Sequence, residues 1–165
     1  MITSAINENP NIVIIGSGWA TKSFTNTIDK DKYNIKIVSN SDHFIYTPQL
    51  ANFSVTKDVK DIETDMTNIP KIEFIKDTIK DVDFDKQILI TEKDKIKYDY
   101  VIFAHGAQIN TFNIPGVKEN CLFLKTKQDA ELIHKHLEGL EPNAKVAVIG
   151  CGLTGSELIG CLLDK

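Results

Sequence analysis

Asn11-Ile12-Val13-Ile14-Ile15-Gly16-Ser17-Gly18-Trp19-Ala20-Thr21 decides the fold. Four consecutive apolar residues read as a strand buried on both faces. They run directly into a Gly-Ser-Gly turn, and Trp19 to about Ile28 follows with helical character. Tyr33 to Val38 then alternates as a second strand. Strand, helix and strand within thirty residues make a βαβ unit and predict a parallel sheet. In such a turn the first glycine permits the tight bend. The second lets a pyrophosphate approach the main chain, and the third lets helix and strand pack closely. The helix N-terminus adds N–H donors and about half a positive charge. Gly16 and Gly18 fill the first two positions. Thr21 holds the third, where its side chain is expected to push the helix off the strand. Taken alone, this turn is equally a nucleotide site or a structural bend. The acidic ribose ligand expected about 20 residues on is absent. Ser39 stands at the end of the second strand, with Asp42 three further. Ser39 either bonds a ribose hydroxyl or simply begins a loop.

The pattern returns at Val146-Ala147-Val148-Ile149-Gly150-Cys151-Gly152-Leu153-Thr154-Gly155-Ser156-Glu157. Here all three glycines are present, after an expected strand over Lys145 to Ile149 and before a helix over Leu153 to Leu163. Two nucleotide cradles in one chain imply two cofactors. A protein holding two dinucleotides normally passes hydride between them, and flavin with nicotinamide is the common pair.

Between the cradles the chain reads as further α/β structure. Phe44 to Val55 is broken by Pro48 and predicts an irregular or short helical segment. Thr56 to Pro70 reads as loop with a short helix, and Lys57 to Asp65 as a solvated surface. Ile72 to Thr91 is β-like, with a hairpin turn at Phe84-Asp85-Lys86-Gln87. Tyr98 to Ala104 predicts a buried strand ending at His105-Gly106, and Leu122 to Leu124 a short one. Thr126 to Leu140 predicts a helix opened by a Thr126/Asp129 capping box, with Ala130, Ile133 and Leu137 on one face. The expected fold class is therefore α/β: a Rossmann-like nucleotide-binding domain of parallel sheet and helices, followed by the first strand and helix of a second nucleotide-binding domain. A disordered lead is expected over 1–10.

Bulk properties narrow the function classes. The 165 residues are 42% hydrophobic and 25% charged, with a net charge of -4. That is an ordinary globular balance and lacks the basic stripe of a nucleic-acid surface. No apolar run reaches the ~18–20 residues that span a bilayer, and the polar N-terminus has no signal-peptide core. Cys121, Cys151 and Cys161 form neither a disulfide framework nor a zinc site, which favours a reducing intracellular compartment.

These motifs together resemble the FAD/NAD-linked reductases, and within them the type II, non-proton-pumping NADH:quinone dehydrogenases. Gly16-Ser17-Gly18-Trp19 is similar to the family's opening, and Lys32 to Ser39 to its second strand, where Ser commonly replaces the acidic residue. Phe44-Ile45-Tyr46-Thr47-Pro48-Gln49-Leu50 resembles its Phe-x-x-Thr-Pro-x-Leu segment, which touches the flavin ring. Tyr98 to Ala107 resembles its second FAD motif, and Asn110 to Val117 the segment after it. Gly150 to Glu157 resembles its NAD cradle with trailing carboxylate. The resemblance implies a Rossmann-like FAD-binding domain with a β-meander over 11–143 and the start of a truncated NAD(P)H-binding domain over 144–165, and that NADH reduces FAD, and FAD a quinone. It implies FAD contacts from Gly16, Ser17, Gly18, Trp19, Ala20, Thr21, Ser39, Thr47, Pro48, Ile79, Ala104, His105 and Gly106. NADH contacts fall to Gly150, Gly152 and Gly155, with Glu157 as the carboxylate beside nicotinamide and flavin.

Departures from the pattern are Thr21 and Gln49. The resemblance also implies an N-terminal piece of a longer enzyme, lacking the rest of the NAD domain, a later Gly-Asp motif and an amphipathic membrane anchor. In the family that anchor makes a peripheral membrane contact, and the setting is intracellular, cytoplasmic or associated with the mitochondrial inner membrane. The apolar C-terminal helix is expected to promote self-association. Two other readings stay open. One is a non-enzymatic remnant or flavin-binding module. The other is a related FAD/NAD reductase with another acceptor, as among the sulfide-, ferredoxin- and apoptosis-factor-like relatives that use the same two cradles.

The absence of any Cys before Cys121 disfavours disulfide-reductase chemistry. Cys121 and Cys161 read as buried small residues, and Cys151, beside a helix N-terminus, as a thiol open to activation. His134 and His136, two apart, read as solvated and not as a metal pair. His105 reads as a donor near the pyrophosphate or a plain loop residue, and His43 has no evident partner.

Overall fold

The computed structural model describes residues 9–57 and 62–164. Most of the expected lead lies outside them, at 1–8. In chain order the elements begin with β1 (Asn11–Ile15), α1 (Trp19–Thr27), β2 (Asn34–Ser39) and β3 (His43–Ile45). A 3-10 turn over Thr47–Gln49 leads into α2 (Leu50–Thr56), then β4 (Glu63–Asp65) and β5 (Ile72–Lys76). β6 (Ile79–Asp83), β7 (Ile88–Thr91), β8 (Lys95–Lys97) and β9 (Tyr100–Phe103) follow. Three helices complete the chain: α3 (Val117–Asn120), α4 (Lys127–Glu138) and α5 (Leu153–Leu163). They divide between two compact units, one of residues 1–44 and 65–106, the other of residues 45–64 and 107–165.

The first unit is built on a four-stranded sheet in the order β5-β2-β1-β9. Every pairing in it is parallel. Central β1 is buried on both faces, with Val13 and Ile14 fully enclosed, as its unbroken apolar run requires. Its alternate side chains supply two different cores. Ile12 and Ile14 join Ile35, Ile37 and Met66, with Phe24 and Ile28 from α1 and its end packed against them. Val13 and Ile15 join Val38, Leu89, Ile96 and Tyr98 on the other face. That second face is covered by the antiparallel meander β6-β7-β8. Helix, sheet and meander thus form three layers, dictated by the period of two along β1. The expected hairpin turn is present over 84–87, where Asp83 accepts the Lys86 N–H at 2.9 Å. β8 was not anticipated, because Lys95-Ile96-Lys97 offers only one inward residue, buried Ile96.

The second unit centres on Leu50, Phe53, Ile62 and Ala130, with α2 packed against α4 and α5. The expected capping box is complete. Thr126 Oγ1 accepts the Asp129 N–H at 3.1 Å, and Asp129 Oδ2 accepts the Thr126 N–H at 2.8 Å. Lys127 meets Glu63 at 2.7 Å, and that hydrogen-bonded carboxylate raises the lysine pKa.

Several expectations need correction. Lys145–Ile149 and Leu122–Leu124 form no strand. Apolar runs become strands only with ladder partners, and none pairs with them among the described residues. The expected loop over 56–70 begins on the last residue of α2, contains β4, forms no further helix among its described residues, and lies outside them at 58–61. His134 is buried, not solvated, since it extends the inward Ala130–Ile133 stripe by one position. Its Nε2 lies 3.2 Å from Glu138. Cys121 and Cys161 are half-buried and Cys151 is exposed.

Candidate functional site

The first cradle lies at the carboxyl ends of the parallel strands, where open α/β sheets bind ligands. Gly16 adopts φ +106°, and a Cβ there would stand 2.5 Å from the Ala104 carbonyl oxygen. Only glycine fits. Its N–H donates to Val38 O at 2.9 Å, while the Ala104 N–H donates to Ile15 O at 2.8 Å. The turn is thereby seated between the ends of β2 and β9. This brings Ala104, His105 and Gly106 against the glycine turn, a juxtaposition that spacing along the chain does not reveal. Gly18 is the N-cap of α1 and carries no side-chain cap. A Cβ on it would meet nothing nearer than Ala104 O at 4.0 Å. The space over Gly18, at the N-terminus of α1, fits a pyrophosphate.

Ser17 and Ser39 are both buried and meet here. The Ser41 N–H donates to Ser39 Oγ at 3.2 Å, Ser39 Oγ donates to Ser17 Oγ at 3.3 Å, and Ser17 Oγ to His43 O at 3.2 Å. This relay ties the turn to the end of β2. Asp42 is engaged by Lys76 at 2.6 Å and by His43 Nδ1 at 2.8 Å. Those bonds, the lysine's first, hold its carboxyl down to about 2. His43 thus has a partner after all. Lys76 escaped sequence reasoning, because its place opposite Ser39 is set by the β2–β5 register. Trp19 packs edge-on against Phe44 with ring centroids 4.9 Å apart, and the His105 ring lies beside Phe103. Ala20 is an exposed first-turn residue of α1. Ile79, in β6, packs against the core between sheet and meander.

Thr21 stands at the third position of the first turn. It is fully buried, and its hydroxyl donates to Gly16 O at 2.7 Å.

The second unit holds the other residues. Pro48 occupies the first turn of the 3-10 segment, beside half-buried Thr47. The second glycine turn repeats the first. Gly150 has φ +104°, against +106° at Gly16. Gly152 is an extended N-cap at φ -70°, ψ 177°, against -83°, -162° at Gly18. The first α5 bond, Ser156 N–H to Gly152 O, is 3.0 Å long, as is Lys22 N–H to Gly18 O. A Cβ on Gly155 would overlap the Gly150 carbonyl oxygen, so the third glycine is sterically required. Around Gly150 and Gly152 the space is open. Glu157 is exposed in the second turn of α5. Among the described residues no His, Cys, Asp and Glu cluster could hold a metal ion. No helix there is long and apolar enough to cross a membrane.

Residues 10–164 match the pyridine nucleotide-disulphide oxidoreductase family. The chain is 29% identical over 184 residues to external alternative NAD(P)H-ubiquinone oxidoreductase B3, mitochondrial, of Arabidopsis thaliana. That alignment covers 93% of the chain and 32% of the relative. The structure of NDH2 from Plasmodium falciparum in complex with NADH is similar, with TM-score 0.80 and 29% identity, covering 95% of this chain and 37% of that one. The sulfide:quinone oxidoreductase of Aquifex aeolicus is similar with TM-score 0.71 and 26% identity, covering 81% and 33%. The chain spans about one third of the length of the curated relatives it matches. With the family matched from the first strand to the last helix, and two glycine turns of one geometry, the chain belongs to the pyridine nucleotide-disulphide oxidoreductases.

Proposed function

We propose that this chain carries the FAD site, and the opening of the NADH site, of a flavin-dependent NADH:quinone oxidoreductase. The carrying observation is the repetition of one glycine-turn geometry at Gly16–Gly18 and Gly150–Gly152. FAD, when bound, supplies the electron relay between a two-electron donor and a quinone. The protein's part is to bind and orient. Gly16, Ser17, Gly18, Trp19, Ala20 and Thr21, with Ala104, His105 and Gly106, would hold the pyrophosphate side. Ser39 would serve the ribose and Ile79 the rest of the nucleotide. Thr47 and Pro48 would serve the flavin ring. Gly150, Gly152 and Gly155 would hold the NADH pyrophosphate, and Glu157 would stand at the nicotinamide.

Residues 11–143 are proposed as the FAD-binding domain, and 144–165 as the start of the NADH-binding domain. Turnover is proposed for the whole protein, in an intracellular, mitochondrial setting in keeping with the relative's name. Exposed Ile149, Leu153 and Leu163 are proposed to drive self-association of this chain. To test the FAD assignment, the protein is loaded with FAD or FMN, desalted and assayed for retained flavin. Near one FAD per chain is expected and little FMN, which lacks the pyrophosphate. Colourless protein, or equal FMN retention, contradicts the reading.

A second reading keeps the FAD site and takes sulfide as donor, favoured by the likeness to the sulfide:quinone oxidoreductase. Anaerobic bleaching of the FAD-loaded whole protein by sulfide and not NADH would select it.

A further inference from the structure

The two turns differ at the third position of the motif. In the second, the helix backbone at Gly155 lies so close to the Gly150 carbonyl that no side chain fits. In the first, the equivalent position is Thr21, also five residues beyond its first glycine. A full side chain is enclosed there, and its hydroxyl reaches the equivalent carbonyl, Gly16 O, at 2.7 Å. The same oxygen that receives close backbone packing in one cradle receives a hydrogen bond in the other. Gly16 is also the residue wedged against Ala104 and His105 in a left-handed conformation, which costs conformational freedom unless neighbours hold it.

We infer that Thr21 is a positioning residue for the FAD pyrophosphate: its hydroxyl, through the Gly16 carbonyl, fixes the glycine turn in its phosphate-receiving shape. The inference rests on the FAD reading above. It reverses the steric expectation, under which the Thr21 bulk weakens the fit. Removing the hydroxyl removes this bond to Gly16 O and loosens the turn. Bulk and hydroxyl make opposite predictions for small replacements, so they separate cleanly.

The test compares the wild-type chain with Thr21→Ser, Thr21→Val and Thr21→Ala, using FAD as the probe. Dissociation constants come from quenching of flavin fluorescence, and melting temperatures from the flavin-free proteins. T21V keeps the volume and loses the hydroxyl. It is expected to bind FAD roughly fivefold to tenfold more weakly, the scale of one buried hydrogen bond. T21A should weaken binding as well, while T21S should stay within about twofold of wild type, its hydroxyl making the same bond. FMN binding should be unmoved by T21V, since the turn serves the pyrophosphate. Tighter FAD binding by T21A, T21V at the wild-type affinity, or T21S as weak as T21V would each overturn the inference. If T21V does not fold, the T21A and T21S pair decides. A wild-type chain that binds no FAD overturns the FAD reading itself, and this inference with it.

Discussion

Gly16 shows how one atom constrains a site. A Cβ there would collide with backbone, 2.5 Å from Ala104 O and 2.8 Å from His105 Cα, and φ +106° is already unfavourable for other residues. Gly16→Ala is expected to destabilise the first unit by about 2 kcal/mol or more, read as a lower midpoint in urea. Asp42 makes a pH-dependent prediction. Its pKa is lowered from 3.8 to about 2 by Lys76 and then His43. A depressed carboxylate contributes stability that is fully present above the unfolded-state value and is lost as pH falls through the folded one. Melting temperature should therefore decline between about pH 4 and pH 2. Asp42→Asn should make that decline shallower, with Asp29, Asp65, Asp77 and Asp83, also held low by hydrogen bonds, keeping the rest of it; an unchanged acid limb would count against the ion pairs. The glycines at 16 and 18 were legible because strand, turn and helix are adjacent in sequence. Lys76 was not, because its neighbours Ser39 and Asp42 arrive through sheet register. The Thr21 hydrogen bond was also hidden, since side-chain volume alone predicts a push and not a bond.

At the scale of elements, the clearest sequence signals were local. The Thr126/Asp129 box marks the start of α4, and Gly139 its end, as its spacing indicates. The apolar run at 145–149 carried a strong strand signal, yet it forms no ladder among the described residues. Strand structure depends on a partner, and local sequence cannot supply one. The consequence is apolar surface: Ile149, Leu153 and Leu163 are 84%, 85% and 81% exposed. Such surface favours association. Light scattering should give a mass that rises with protein concentration, and the double variant Leu153→Lys, Leu163→Lys should return it toward the monomer. A wild-type mass independent of concentration would contradict the proposed self-association.

Taken whole, the chain presents one turn geometry twice, once in each compact unit. The three-layer unit of helix, sheet and meander follows from alternation along β1 and was legible as a class. The pairing order β5-β2-β1-β9 was not, because parallel neighbours are joined by long crossovers. The central claim is that the two turns serve different dinucleotides and that the first one holds FAD. Its most direct measurement is a calorimetric titration of FAD into the wild-type chain, Gly18→Val and Gly152→Val. The account predicts one FAD site in wild type, its loss in G18V, where the side chain fills the phosphate space, and its retention in G152V. No FAD binding by wild type, or equal loss in both variants, would contradict it.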